Sequence, residues 1–176
     1  SFPPSFRKFM AEVLEDILND IDKVELDEKI LNFKEHMKTL PLIDVMFPIG
    51  VKNVKKYTRK GDSLFSARMK GTPVHVKAAL NYNDMLKHHK VKTIRGIING
   101  EKIKWTYLKN NPMGLDTIAL KGYDDPAPIY DFVSQHINHE KVFKSAFENK
   151  LNDFYGALKW GRVPENNNLG KFFAFG

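Results

Sequence analysis

The spacing of the apolar residues changes along the chain, and this change limits the folds that the sequence can adopt. Near both ends, apolar residues recur every three or four positions, which is the period of a helix with one buried face. Between residues 102 and 109 they alternate with polar residues, which is the period of a half-buried strand. The sequence therefore predicts the α+β class, with helices packed with a small antiparallel sheet or hairpin.

Five helices are predicted from apolar stripes and from residues that favour helix ends. The first begins near Pro4, because the N–H that proline lacks would be unpaired in a first turn. Asp27 is predicted to cap the second helix, and Thr72 is predicted to cap the third, with Pro73 in its first turn. The predicted spans are 4–21, 27–40, 72–88, 129–134 and 138–159.

Short strands are predicted at 42–47, 102–109 and 116–120, and the last two form a hairpin across the turn residues 110–114. On the middle strand, one face is expected to carry Ile103, Trp105 and Tyr107. The opposite face is expected to carry Lys102, Lys104 and Thr106. The lysines of that face could bind phosphates or simply remain in water.

Composition excludes several classes of protein. The 176 residues include no cysteine, so disulfides, thiol nucleophiles and thiolate metal sites are excluded. No run approaches the roughly 18 apolar residues of a membrane span, and no membrane partner is expected. The first residues lack the basic and then apolar order of a signal peptide. A soluble intracellular protein is expected, and its net charge of +7 indicates an anionic partner.

The positive charge is concentrated in the middle of the chain. Residues 52–109 contain 15 Lys and Arg but only three acidic residues, a net charge of +12, whereas the rest of the chain has −5. This asymmetry is typical of proteins that bind a phosphate backbone. The alternative is a solvated surface that binds nothing, since Lys-rich surfaces are common. A polyanion is expected to lie against this part of the chain.

No catalytic site and no metal site is predicted. Glycine-rich phosphate loops and nucleophile elbows are absent from the sequence. The pair His136 and His139 has metal-ligand spacing, but it straddles the start of a predicted helix, where the geometry is not assured. A metal-dependent nuclease that uses Asp84, His88 and His89 is a minor alternative, because nucleotidyl chemistry needs carboxylates that converge from separate elements.

The run from Thr72 to Asn83, TPVHVKAALNYN, resembles the thumb motif of T-even-type phage DNA polymerases of family B. The family motif has a proline, an apolar residue, a histidine, an apolar residue and a basic residue, then a short helix that ends in Leu-x-Tyr-Asn. Lys77 stands where the family usually has arginine. Other matching features follow the family order, namely Lys56-Tyr57, the strand lead-in 100–103, the turn 111–114 and a Phe-rich terminus.

The resemblance implies that residues 1–163 form a thumb-like DNA-binding domain with its basic middle at 52–109. In that family the thumb grips the primer–template duplex, mainly through sugar–phosphate contacts. The contacts expected by resemblance and charge are Lys56, Tyr57, Lys70, His75 and Lys77, and then Lys102 and Lys104. The loop 59–70 departs from the family pattern, so the resemblance assigns it no contacts beyond Lys70.

Residues 164–176 are expected to be a flexible linker that ends in a clamp-binding peptide. Three consecutive asparagines precede the apolar end of the chain. The resemblance implies that this end tethers the polymerase to its ring-shaped sliding clamp, through Leu169, Phe172, Phe173 and Phe175. The alternative is a tail that packs on its own domain.

The palm motifs, exonuclease acids and fingers helix of the family are absent from the sequence. The resemblance therefore implies a non-catalytic part of a replicative polymerase in the cytoplasm of an infected bacterium. Its expected partners are primer–template DNA, the remaining palm, fingers and exonuclease portion, and the clamp. No cofactor is expected in this chain, and Mg²⁺ is expected only in the palm. The part is either an excised domain or a split-gene product, and the rival interpretation is a freestanding basic nucleic-acid-binding protein.

Overall fold

A computed structural model describes residues 2–165, which form two compact units. The basic unit is Met46–Asn138, and the helical unit combines Phe2–Val45 with the chain from His139 onward. The basic unit has 16 Lys and Arg against seven Asp and Glu, a net charge of +9, which leaves −2 for the remaining sequence. Helices and a small antiparallel sheet are both present, so the predicted α+β class is confirmed.

The helices, in chain order, are α1 (Pro4–Leu18), α2 (Lys23–His36), α3 (Val74–His88), α4 (Ala127–His136), α5 (His139–Phe143) and α6 (Asn149–Ala157). A π-helix, Lys144–Glu148, joins α5 to α6. The strands are β1 (Phe47–Gly50), β2 (Lys102–Tyr107) and β3 (Thr117–Leu120). Single 3-10 turns occur at Met37–Thr39, Leu42–Asp44 and Lys55–Tyr57.

Phenylalanine rings form the core of the helical unit. Phe9 of α1 stacks on Phe33 of α2 with 4.1 Å between the ring centroids, and Phe6 meets Phe33 edge-on at 5.3 Å. Phe143 and Phe147 complete the cluster from the C-terminal helices. Aromatic pairs in such offset or edge-on geometry add about 0.5–1.5 kcal/mol beyond their area burial. The cluster therefore ties both ends of the chain into one core.

A buried hydrogen-bond network in the helical unit corrects the predicted start of α2. Asp22, not Asp27, caps the helix, since its side chain accepts from the Glu25 N–H at 2.9 Å. Asp27 lies one turn inside the helix and is 5% exposed. Its carboxylate accepts from the Tyr155 hydroxyl at 2.5 Å and from Lys23 Nζ at 2.6 Å. Aspartate is a favourable N-cap residue, so the sequence alone does not distinguish Asp22 from Asp27. The long-range contact of Asp27 with Tyr155 distinguishes them.

The sheet of the basic unit is antiparallel with the strand order β1-β2-β3. The predicted hairpin is confirmed, because Trp105 of β2 pairs with Ala119 of β3. The strand predicted at 42–47 is wrong, since Leu42–Asp44 is a 3-10 turn after Pro41. β1 instead begins at Phe47, which pairs with Trp105, and the two rings stack 4.7 Å apart.

α3 packs along β3 and covers the sheet of the basic unit. Asn81 of α3 donates from Nδ2 to the Thr117 carbonyl at 2.8 Å, and both residues are buried. The helix ends at His88 as predicted, but the predicted cap by Thr72 is wrong. Pro73 occupies the cap position, and the Thr72 hydroxyl donates to the Met69 carbonyl at 2.7 Å. Thr72 therefore closes the preceding turn instead of the helix end.

Candidate nucleic-acid interface

Most of the positive charge of the basic unit has no internal partner. Three of the 15 Lys and Arg residues in 52–109 form ion pairs within the unit, and these are Arg68–Asp84, Lys77–Asp116 and Arg95–Glu101. The other twelve form no ion pair with a carboxylate of residues 46–138. Unpaired surface cations are free to neutralise an external polyanion.

Lys56 and Tyr57 lie together in the 3-10 turn that follows β1. Lys56 Nζ stands 5.3 Å from the centroid of the Tyr57 ring, within the range of a cation–π contact. Asn99 fixes this turn, because its Oδ1 accepts from the Val54 N–H at 2.6 Å. Lys56 is exposed and Tyr57 is half-buried, so the pair presents a charge beside an aromatic face.

Lys70, His75 and Lys77 lie at or near the start of α3. Lys70 is exposed in the turn before the helix, and Lys77 forms a 3.6 Å ion pair with Asp116. Exposed pairs of this kind contribute about 0–1 kcal/mol, so a phosphate could replace the carboxylate. Positions two apart on a helix point in different directions, and His75 and Lys77 therefore do not share one face.

Lys102 and Lys104 project from the same face of β2, as their alternation predicts. Lys102 is exposed and Lys104 is half-buried. Thr106 follows on the same face by alternation, but it is fully buried, and its carbonyl accepts from the Thr117 hydroxyl at 2.8 Å. The exposed part of this face is therefore the N-terminal half of β2.

Arg68 holds the loop before α3 in place, a role that no local sequence pattern predicts. Its Nη2 donates to Asn81 Oδ1 at 2.6 Å and to Asp84 Oδ2 at 2.8 Å. The same Asp84 oxygen accepts from the Phe65 N–H at 3.0 Å, where Phe65 has a positive φ of 61°. Left-handed backbone is unfavourable for a bulky residue, so this network holds the loop in place.

Asn83 organises the second loop next to α3. Its Oδ1 accepts from the Ile97 N–H at 2.6 Å, and its Nδ2 donates to the Ile97 carbonyl at 3.0 Å. Gly96 permits this approach, because a Cβ there would stand 2.9 Å from Asn83 Oδ1. Asn83 belongs to the Leu-x-Tyr-Asn end of the run, and its bidentate contact is a local structural reason for asparagine at that position.

A cleft of about 290 Å³ is lined by residues of the loop before α3, of α3 itself and of the loop after it. We call it the α3 cleft. Tyr57, Leu64, Leu80, Leu86, Val91 and Ile94 contribute its apolar and aromatic lining. Its charged lining consists of Arg59, Asp62, Arg68, Asp84 and Lys87. None of these residues except Tyr57 was among the expected contacts, because the partners that build the cleft are distant in sequence.

Glu101 holds the turn before β2. Its carboxylate accepts from the Ile98 N–H at 2.6 Å and from Arg95 Nη2 at 3.1 Å, and Lys121 Nζ lies 3.6 Å away. Burial by itself would raise the pKa of Glu101, but these donors outweigh it and hold the pKa below its ordinary value. Glu101 is therefore an ionised structural anion that is already committed to its neighbours.

Asp84 is likewise committed to Arg68, which bears on the nuclease alternative. His88 packs edge-on against the Phe65 ring at 5.7 Å and against His89 at 5.0 Å. In the part of the chain that the structure describes, no group of three His, Asp or Glu side chains is placed to hold a metal ion. The geometry of Asp84 is that of a structural ion pair.

The clamp-binding residues predicted at Leu169, Phe172, Phe173 and Phe175 lie outside the described residues. Within residues 2–165, no helix combines the length and the apolar character that crossing a bilayer requires. A scan against protein-family models finds no family that matches, and a search of curated proteins finds no significant match. Charge and geometry therefore carry the functional argument.

Proposed function

We propose that the chain binds duplex DNA without base specificity, as the thumb of a replicative polymerase that grips its primer–template. The observation that carries the proposal is the set of twelve Lys and Arg residues in 52–109 that form no ion pair within the basic unit. A duplex offers one negative charge per about 1.7 Å of its axis, which suits many dispersed cations.

The cations are spread over a turn, a loop before a helix and a strand. This arrangement suits binding to phosphates more than recognition of base edges. Lys56 follows β1 in a turn, Lys70 precedes α3, and Lys102 lies on β2. Sequence readout normally relies on a helix or ribbon that enters a groove with bidentate side chains. Contacts to phosphate position a duplex and carry no sequence information, as a polymerase that moves along DNA requires.

The experiment measures affinity for a blunt duplex against salt concentration, for the full chain and two double variants. Lys70→Ala/Lys77→Ala is expected to weaken binding and to lower the slope of log affinity against log salt by about 1.8, since each phosphate contact contributes about 0.9. Lys8→Ala/Lys144→Ala removes the same charge from exposed sites of the helical unit and is the matched control. An unchanged slope in the first variant would contradict the assignment.

The polymerase part of the proposal needs its own test, because many basic proteins bind DNA. The chain is expected to stimulate primer extension when it is co-expressed with a palm-containing polymerase portion. Deletion of residues 169–176 is expected to abolish capture by the cognate sliding clamp while duplex affinity is retained. Duplex binding without any stimulation of primer extension would instead support a freestanding nucleic-acid-binding protein.

A further inference from the structure

We propose that the α3 cleft binds one unpaired nucleotide of a nucleic-acid strand, with the base inside the cleft and the phosphate at its rim. The inference rests on the proposed function for its ligand class. It shares Tyr57, Arg59 and Lys87 with that function, and it adds Arg68, Asp84 and the apolar lining of the cleft. The cleft measures about 290 Å³, just below the range of about 300–1,000 Å³ that small-molecule pockets occupy. A cleft of this size suits one nucleotide better than a stacked base pair.

The lining has the character that a base requires. Leu64 supplies exposed apolar surface, Leu80 and Leu86 are buried residues of the wall, and Tyr57 supplies an aromatic ring. Stacking between a base and an aromatic side chain tolerates any sequence, because every base has a π-face. A cleft with such walls therefore favours the base over a bare phosphate.

Polar atoms in the wall could pair with the edge of a base. Arg68 lines the cleft and holds Asp84 in its wall through a 2.8 Å contact between Nη2 and Oδ2. Asp84 uses Oδ2 for both of its contacts, which leaves Oδ1 as an acceptor for an exocyclic amino group.

The rim supplies cations for a phosphate. Arg59 and Lys87 both line the cleft and are exposed, and neither forms an ion pair within the basic unit. Asp62 also lines the cleft, and Asp84 is already paired with Arg68, so two cations face one further carboxylate. This balance favours an anionic occupant that is apolar at its other end. A nucleotide in a single strand meets both demands, and it avoids the cost of unstacking a paired base.

The experiment uses three probes with the full chain. These are a blunt duplex, the same duplex with a single-stranded overhang that carries one 2-aminopurine, and that overhang with an abasic site at the same position. The chain is expected to bind the 2-aminopurine overhang about five- to tenfold more tightly than the abasic one. The fluorescence of 2-aminopurine is expected to change on binding, as the base leaves water and stacks.

Two variants, each with a matched control, locate the effect. Leu64→Trp fills the cleft and is expected to remove both the preference and the fluorescence change, whereas Ile98→Trp at an exposed site outside the lining is expected to retain them. Arg59→Ala/Lys87→Ala is expected to weaken the preference, and Lys90→Ala/Lys92→Ala removes equal charge elsewhere. All four variants are compared with wild type for their affinity to the blunt duplex and for their circular dichroism.

Each outcome decides between the two proposals. Duplex binding with equal affinity for the base and abasic overhangs overturns the cleft proposal and leaves the proposed function intact. An overhang preference without blunt-duplex binding supports the cleft proposal and overturns duplex gripping. Binding to none of the probes overturns both proposals. A preference that survives Leu64→Trp in a folded protein overturns the assignment to the α3 cleft.

Discussion

His75, one of the expected contacts, has its protonation altered by burial. Desolvation by burial lowers the pKa of His75 from its ordinary value of 6.5, because the charged imidazolium loses water there. The side chain is therefore predominantly neutral at pH 7, and it could approach a phosphate only as an uncharged N–H donor. A contact of this kind would add little to the salt slope, unlike the contacts of the lysines.

The lowered pKa predicts how stability depends on pH. The unfolded chain protonates His75 before the folded chain does, so the free energy of unfolding should fall as pH drops below 6.5. We expect His75→Gln to lose less stability than wild type between pH 7 and pH 5, in urea unfolding at each pH. His36→Gln, at an exposed site, is the control and should follow wild type. Parallel curves for His75→Gln and wild type would contradict the prediction.

At single positions, the sequence predicts surface charge well and internal partners poorly. Lys56, Lys70 and Lys102 are exposed, as a run of basic residues among few acids suggests. Arg68 belongs to the same basic run, but its guanidinium donates hydrogen bonds to Asp84 and Asn81. The ion pair spans 16 positions and depends on how the loop folds back on α3, so local pattern could not identify it.

At the scale of elements, α3 holds the loops on either side of it through polar side chains. Asn83 binds both backbone polar groups of Ile97, and Gly96 leaves the room that this contact needs. Gly96→Ala would place a methyl group 2.9 Å from an oxygen that is fixed by a hydrogen bond. We therefore expect Gly96→Ala to lower the free energy of unfolding by about 1–3 kcal/mol.

A double-mutant cycle tests this coupling in urea denaturation. Asn83→Ala alone should cost about 1–3 kcal/mol, since it leaves two backbone groups of Ile97 without their partner. In that background Gly96→Ala should become nearly neutral, which gives a coupling energy of about 1 kcal/mol or more. Gly50→Ala is the control, because a Cβ there meets nothing within 4 Å. Additive costs would show that the two residues do not act on one contact.

The elements that the sequence predicts correctly are those defined by local patterns. α1 begins at Pro4, and β2 and β3 form the expected hairpin. β1 is different, because its boundaries follow from pairing with β2. The paired residues are far apart in the sequence, since Phe47 pairs with Trp105 and Gly50 with Lys102. The π-helix after Phe143 also interrupts a stripe that predicts one continuous helix from 138 to 159. Long-range strand pairing and helix irregularities produce no repeating pattern of apolar residues, so the sequence does not predict them.

At the scale of the whole molecule, charge is divided between the two units. The basic unit has a net charge of +9, and the remaining sequence has −2. The basic run 52–109 lies entirely inside the compact unit Met46–Asn138. The concentration of positive charge in the sequence therefore belongs to one structural unit. Dense like charge destabilises a compact state through self-repulsion, and a bound polyanion or added salt relieves it.

This division predicts opposite effects of salt with and without DNA. Without DNA, raising NaCl from about 50 mM to about 500 mM should raise the thermal unfolding midpoint, because salt screens repulsion among the unpaired cations. With duplex DNA at about 100 times its dissociation constant, the midpoint at low salt should rise by about 5–10 °C, and this rise should disappear at high salt. A peptide nucleic acid duplex of the same sequence has no phosphates and should give no rise. A DNA-induced rise that persists at 500 mM NaCl would show that the bound state depends on contacts other than those to the phosphate backbone.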